Sequence, residues 1–181
     1  MTEIAQMYEQ GKGVSKDYSE AFRWYLKATE QNDLYGMFMV GEYYYNGNSV
    51  KVDYQKALYW YKKGSDMGDI FAKTQLGMMY LEGIGVAQDY KTALALLKDA
   101  AEHGSAVSML MTGTMYELGQ GVKQNNITAH FWYNVSAASG QTKASTLRDL
   151  LSKRMSFAEI EKAQKLARGW KPKNAPTVQR Q

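Results

Sequence analysis

The stretch Leu76-Gly77-Met78-Met79-Tyr80-Leu81-Glu82-Gly83-Ile84-Gly85-Val86-Ala87-Gln88-Asp89-Tyr90-Lys91-Thr92-Ala93 decides the fold, because its key residues recur at an interval of 36. Tyr80 repeats as Tyr8, Tyr44 and Tyr116, and Gly83 as Gly11, Gly47 and Gly119. Val86 repeats as Val14, Val50 and Val122, Asp89 as Asp17, Asp53 and Asn125, and Ala93 as Ala21, Ala57 and Ala129. No insertion disturbs the register, so the chain is an internal repeat of one supersecondary unit.

Each unit reads as two helices. Gly36, Val40, Gly41 and Tyr44 recur at spacings of one side of a helix, which gives helix A. Gly41, Gly77 and Gly113 cost helix propensity and mark places where a neighbour packs closely. The Gly83-Ile84-Gly85-Val86 run ends helix A through positive φ, and Asp89 caps helix B. Asp17 with Glu20 reads as a capping box. Helix B carries the Ala column and the bulky column Trp24, Trp60, Leu96 and Trp132 inward. Gly68, Gly104 and Gly140 close helix B, and Asp69, Ser105 and Thr142 open the next helix A.

The pattern A-x3-L-G-x2-Y-x2-G-x-G-V-x2-D-x3-A-x2-W resembles the Sel-1-like repeat family, relatives of the tetratricopeptide repeat. Ser49, Leu96, Thr112 and Asn125 depart from it locally. The resemblance implies an all-α solenoid of antiparallel helix pairs in a right-handed superhelix, with A helices lining the concave side. It divides residues 1–170 into a partial unit 1–33, full units 34–69, 70–105 and 106–141, and a terminal cap 142–170. In the cap, Ser156 and Glu159 form a second capping box, and a helix from about Phe157 to Arg168 turns Ile160, Ala163 and Ala167 inward. Residues 171–181 read as a disordered basic tail.

Met1 aligns with Met37, which leaves the leading edge of the first helix A unfinished. Solenoids cap such edges. The favoured explanation is upstream sequence absent from this chain, a secretion signal among it. The other is coverage by a second chain, self-association included. No signal is visible in the chain itself, so cytoplasm and periplasm or exterior stay open.

Composition narrows the chemistry. There is no Cys, which excludes disulfides, thiolate metal sites and cysteine nucleophiles, and two His leave no histidine-rich metal site. A mean hydropathy of -0.49 with no long apolar run excludes a membrane span. Residues 148–181 hold nine Lys/Arg against three Asp/Glu, whereas residues 1–147 hold thirteen against fifteen. The basic surplus lies mostly on the terminal segment, so nucleic-acid binding is discounted. His130 falls in the column of Phe22, Leu58 and Leu94 and reads as packing; His103 sits at a helix end. The G-x-G motif follows a helix and lacks a P-loop Lys, and the capping Asp residues are too far apart for paired acid/base work. No catalytic residue, cofactor or metal site is expected.

The resemblance implies a non-enzymatic protein-interaction module, an adaptor or regulator common in bacteria. An immunity or inhibitor protein that occludes a toxin enzyme is the alternative. Helix A is apolar almost all round, as in Leu34-Tyr35-Gly36-Met37-Phe38-Met39-Val40, which is unusual for a surface helix. The tetratricopeptide-like register leaves Tyr35, Phe38, Glu42 and Tyr45 facing the concavity, followed by Phe71, Thr74, Met78, Leu81 and Glu82. Val107, Leu110, Thr114, Glu117 and Leu118 come next. Such a surface suits a protein or peptide partner with apolar anchors and some positive charge.

Overall fold

The computed structural model describes residues 1–173, and those residues form ten α-helices and no strand. They are α1 (Thr2–Gln10), α2 (Tyr18–Thr29), α3 (Leu34–Asn46), α4 (Tyr54–Asp66), α5 (Ile70–Glu82), α6 (Tyr90–Glu102), α7 (Ala106–Leu118), α8 (Asn126–Ala138), α9 (Thr142–Ser152) and α10 (Phe157–Gly169). The chain divides into two compact units, Met1–Gln88 and Asp89–Gln181. In the first, α1 with α2 and α3 with α4 form hairpins, α2 packs on α3, and α5 packs on α4 and touches α3. In the second, α6 packs on α7, α7 on α8 and α8 on α9, while α10 lies chiefly against α8.

Glycine ends each helix A in the way the spacing requires. Gly11, Gly47, Gly83 and Gly119 are left-handed, with φ of 71°, 74°, 74° and 71°. Each returns its backbone N–H to a carbonyl four residues back. Within the units the loop then closes on the tyrosine column: the N–H groups of Asp17, Asp53 and Asn125 donate to the carbonyls of Tyr8, Tyr44 and Tyr116, each at 2.9 Å. Ser49 stands where other repeats have glycine and still adopts φ 59°, and its hydroxyl donates to the Tyr18 carbonyl at 3.2 Å.

Caps follow the same logic. Asp17, Asp53, Asp89 and Asn125 accept backbone N–H bonds at the start of helix B, and Asp33, Asp69 and Ser105 do so for helix A. Two expectations fail. Glu20 does not return the bond to Asp17, whose N–H is given to the Tyr8 carbonyl at 2.9 Å, and its carboxylate pairs with Arg23 at 2.7 Å. Gln141, not Thr142, caps α9, and it makes no side-chain bond. The Ser156–Glu159 box is complete, and Ala163 of α10 is fully buried. The hydrogen bonds from Ser156 hold the Glu159 pKa below the usual carboxylate range.

The core column is one residue from where the sequence points. Trp24 and Trp60 are only half-buried, and of that column only Trp132 is buried. The adjacent residues Tyr25, Tyr61, Leu97 and Tyr133 have no solvent exposure at all. Successive helix residues are about 100° apart, so the more enclosed direction belongs to tyrosine. The glycines of helix A explain the fit. A Cβ on Gly41 would lie 2.5 Å from the Tyr61 ring, and one on Gly113 would lie 2.7 Å from the Tyr133 ring.

Candidate interaction surface

In the first unit, α3 and α5 lie side by side and offer an aromatic surface. Phe38 meets Phe71 with ring centroids 5.9 Å apart and Tyr61 at 6.1 Å, while Tyr45 meets Tyr54 at 5.4 Å and Tyr61 at 6.5 Å. Phe71 is 51% exposed. Tyr35, Phe38, Tyr45, Met78 and Leu81 are half-buried around it, and Glu82 is exposed. Gln75 of α5 donates to the Glu42 carboxylate of α3 at 2.8 Å, which ties the two helices across this surface.

Not every residue of the expected surface is there. Thr74 is buried, and its hydroxyl donates to the Ile70 carbonyl at 2.7 Å. Leu110, in the same repeat column, is 4% exposed and packs with Ala129, Tyr133, Ala144 and Leu151. Within their own units Phe38 turns toward Tyr61 of α4 and Leu110 toward Ala129 and Tyr133 of α8, the helix B that follows each. In the second unit α7 leaves Val107 and Leu118 exposed, with Thr114 and Glu117 half-buried.

Two of the three expected charges are already engaged. Glu42 accepts from the Tyr61 hydroxyl at 2.6 Å, and Glu117 accepts from the Tyr133 hydroxyl at 2.7 Å and pairs with Arg154. Glu9 plays this part in the first repeat, accepting from Tyr25 at 3.0 Å and from Tyr43 at 3.2 Å. Burial pushes all four phenols well above the ordinary tyrosine range, and the facing carboxylates add to it. They therefore stay protonated donors. A buried hydroxyl needs an acceptor, and a carboxylate at the surface supplies one without being buried itself. Burial, followed by the Glu82 charge, also raises the Tyr45 phenol. Sequence reading missed these pairs because the carboxylate stands in different columns: Glu42 aligns with Thr114, and Glu117 with Glu9.

Both histidines make hydrogen bonds within the fold. His130 is 1% exposed, and Asn134 Nδ2 and Ser152 Oγ each lie 2.9 Å from its ring nitrogens. Ser152 donates its own proton to the Arg148 carbonyl at 2.8 Å, so its oxygen accepts from His130 Nε2–H and Nδ1 accepts from Asn134. Burial, with the Arg148 guanidinium second, holds the His130 pKa below the usual imidazole range. His103 Nδ1 lies 2.8 Å from the Asp99 carbonyl at the end of α6. Among the described residues no group of three or more His, Asp or Glu is placed to hold a metal, and no helix is long and apolar enough to cross a membrane.

The family model of the Sel1 repeat matches residues 1–33, 34–69, 70–105 and 106–141. The chain is a Sel1 repeat protein. Among solved structures it is similar to a Sel1 repeat protein from Oxalobacter formigenes, at 32% identity and a TM-score of 0.79, over 92% of this chain and 71% of that one. It also shares its fold with c5321, a protective antigen present in uropathogenic Escherichia coli strains, at 22% identity and a TM-score of 0.63. That likeness covers 92% of this chain and 44% of the antigen. No curated protein matches in sequence. The all-α helical-hairpin fold expected of the family is the fold observed. Sel1 repeats typically mediate protein–protein interaction, and both solved neighbours are bacterial.

Proposed function

We propose that this Sel1 repeat protein is a non-enzymatic interaction module that takes a partner peptide or protein on the exposed A-helix surface of its first unit. The observation that carries the reading is the Phe38–Phe71 contact, in which a half-exposed Phe71 stands on a ring held from behind by Tyr61. Rigid aromatics of this kind lose little entropy on binding and bury a large area, so they serve as anchors. Tyr35 and Tyr45 of α3 and Met78, Leu81 and Glu82 of α5 extend the surface. Glu42 contributes by fixing the two helices to each other, and Glu82 is the carboxylate left to meet a cationic group on the partner. In the second unit Val107 and Leu118, with Thr114 and Glu117 beside them, form the corresponding α7 surface.

The test is a double substitution, Phe71→Glu with Leu81→Glu, in affinity capture from the native organism followed by titration of the partner so identified. Binding is expected to be lost while the circular-dichroism melt stays close to wild type. A folded double variant that binds its partner undiminished would reject this surface. A tight one-to-one complex with an enzyme whose activity it blocks would make the module an inhibitor.

A further inference from the structure

The basic surplus of the C-terminal segment is built into the folded cap. Six of the nine Lys/Arg after residue 147 lie within residues 148–170, and α10 arranges four cationic side chains, counting Arg148 across from it, around two clefts. In the interior hairpins helix B lies along its own helix A, as α4 does on α3 and α8 on α7. Here α10 leaves α9 and packs on α8, which opens a cleft of about 760 Å³ between the three helices. Arg148 and Arg168 face it with Gln164, over Val135, Ala167 and Trp170. A second cleft of about 770 Å³ lies on the other flank of α10, where Lys162 and Lys165 stand over Phe131, Leu166 and the same Trp170. Among the described residues no Asp or Glu lines either cleft.

The groups are poised for an external anion. Arg148 is steadied by Asp149 at 2.7 Å and by Asn134 at 3.5 Å, whereas Arg168 and Gln164 have no hydrogen-bond or ion-pair partner among the described residues. Ser139 and Ser145 direct their hydroxyl protons to the Val135 and Thr142 carbonyls, so guanidinium and amide groups are the donors on offer. The floor is fixed. Trp170 packs on Trp132 with centroids 6.0 Å apart, and just beyond it Lys173 is pinned to Glu102 through both its backbone N–H and its ammonium. Leu166 is 52% exposed at the rim.

We propose that α10 and Trp170 form a second docking surface, separate from the A-helix surface, for an acidic protein segment that carries an apolar anchor. The anchor seats on Trp170 and Leu166, and flanking carboxylates pair with Arg168, Arg148, Lys162 and Lys165. A nucleic acid fits less well, since a phosphate backbone needs a continuous cationic track and Asp149, Glu159 and Glu161 interrupt this one.

The probe is a fluorescein-labelled octapeptide with a Leu-Phe centre and three acidic residues on each side, titrated into the full chain by anisotropy. Saturable binding is expected, weakened about tenfold or more by Lys165→Glu with Arg168→Glu, both solvent-exposed positions, and unaffected by Phe71→Glu. Replacing Leu-Phe by Ser-Ser in the peptide should weaken binding by a similar factor. The proposal is overturned if the wild-type chain does not bind the peptide, if the charge reversal leaves binding unchanged, or if the Ser-Ser peptide binds equally well. It is also overturned if an eight-nucleotide oligothymidylate binds more tightly than the peptide, or if the wild-type chain is a dimer that the charge reversal dissociates.

Discussion

The Tyr61 hydroxyl, on a ring with no solvent exposure, donates to the Glu42 carboxylate at 2.6 Å. One side chain thus closes the core beneath Gly41 and fixes an acid at the surface of α3. Tyr25 with Glu9 and Tyr133 with Glu117 repeat the arrangement. The third repeat dispenses with it: Leu97 stands in the tyrosine column, and the two carboxylate columns read Met78 and Leu81.

Tyr61→Ala should therefore cost more than Trp60→Ala. A large-to-small change at a fully buried aromatic costs roughly 3–5 kcal/mol, whereas the half-buried Trp60, which meets Tyr59 edge to face and lies under the Lys63 ammonium, should cost roughly half that or less. Tyr61→Phe removes only the hydrogen bond to a charged acceptor, worth about 1.5–3 kcal/mol. Urea denaturation of the three variants checks the order. A costlier Trp60→Ala would restore tryptophan as the core column.

Gly41→Ala should destabilise although alanine favours helix. The gain in propensity is about 1 kcal/mol, but the new Cβ would sit 2.5 Å from the Tyr61 ring, and overpacking of that kind costs roughly 1–3 kcal/mol. Gly169→Ala, where a Cβ meets nothing within 4 Å, is the control and should be neutral or better.

Thr112 occupies the leucine column of helix A, is fully buried, and its hydroxyl has no hydrogen-bond partner among the described residues. An unsatisfied buried hydroxyl carries a desolvation penalty of about 1–3 kcal/mol. Thr112→Val should raise the denaturation midpoint by the equivalent of about 1 kcal/mol or more. A lower midpoint would mean that the hydroxyl is satisfied in solution.

His130 makes the cap sensitive to mild acid. Its pKa is lowered in the folded state, so below about 6.5, the ordinary imidazole value, the unfolded chain binds a proton that the folded chain does not. That part of the stability is complete above the unfolded value and is lost as pH falls from it toward the folded value. Melts between neutral pH and the onset of carboxylate titration should show wild type losing stability, with a shallower loss for His130→Gln. Parallel slopes for the two proteins would show that His130 protonates freely in the fold.

The sequence made the loops and caps legible because they rest on local backbone chemistry: Gly47 and Gly83 need positive φ, and Asp53 and Asp89 need adjacent free N–H groups. The candidate surface was only partly legible. A repeat interval identifies columns but not their direction, and a rotation of one residue separates Trp60 from Tyr61 and decides whether Thr74 and Leu110 are exposed or buried. The Tyr61–Glu42 pair joins two helices through columns that change between repeats, so no interval revealed it. Composition located the basic surplus on residues 148–181 but not its arrangement, because no repeat column relates Arg148, Lys162, Lys165 and Arg168. Of the expected tail, residues 174–181 lie outside the described residues, whereas Lys173 is held by Glu102.

The most direct test of the interaction surface is site-specific photocrosslinking in the native organism. A benzoylphenylalanine replaces Phe71 in one version of the chain and Tyr59, an exposed residue of α4, in another. A discrete protein adduct from position 71, with none from position 59, is the predicted result; an adduct from position 59 with none from position 71 would contradict the account.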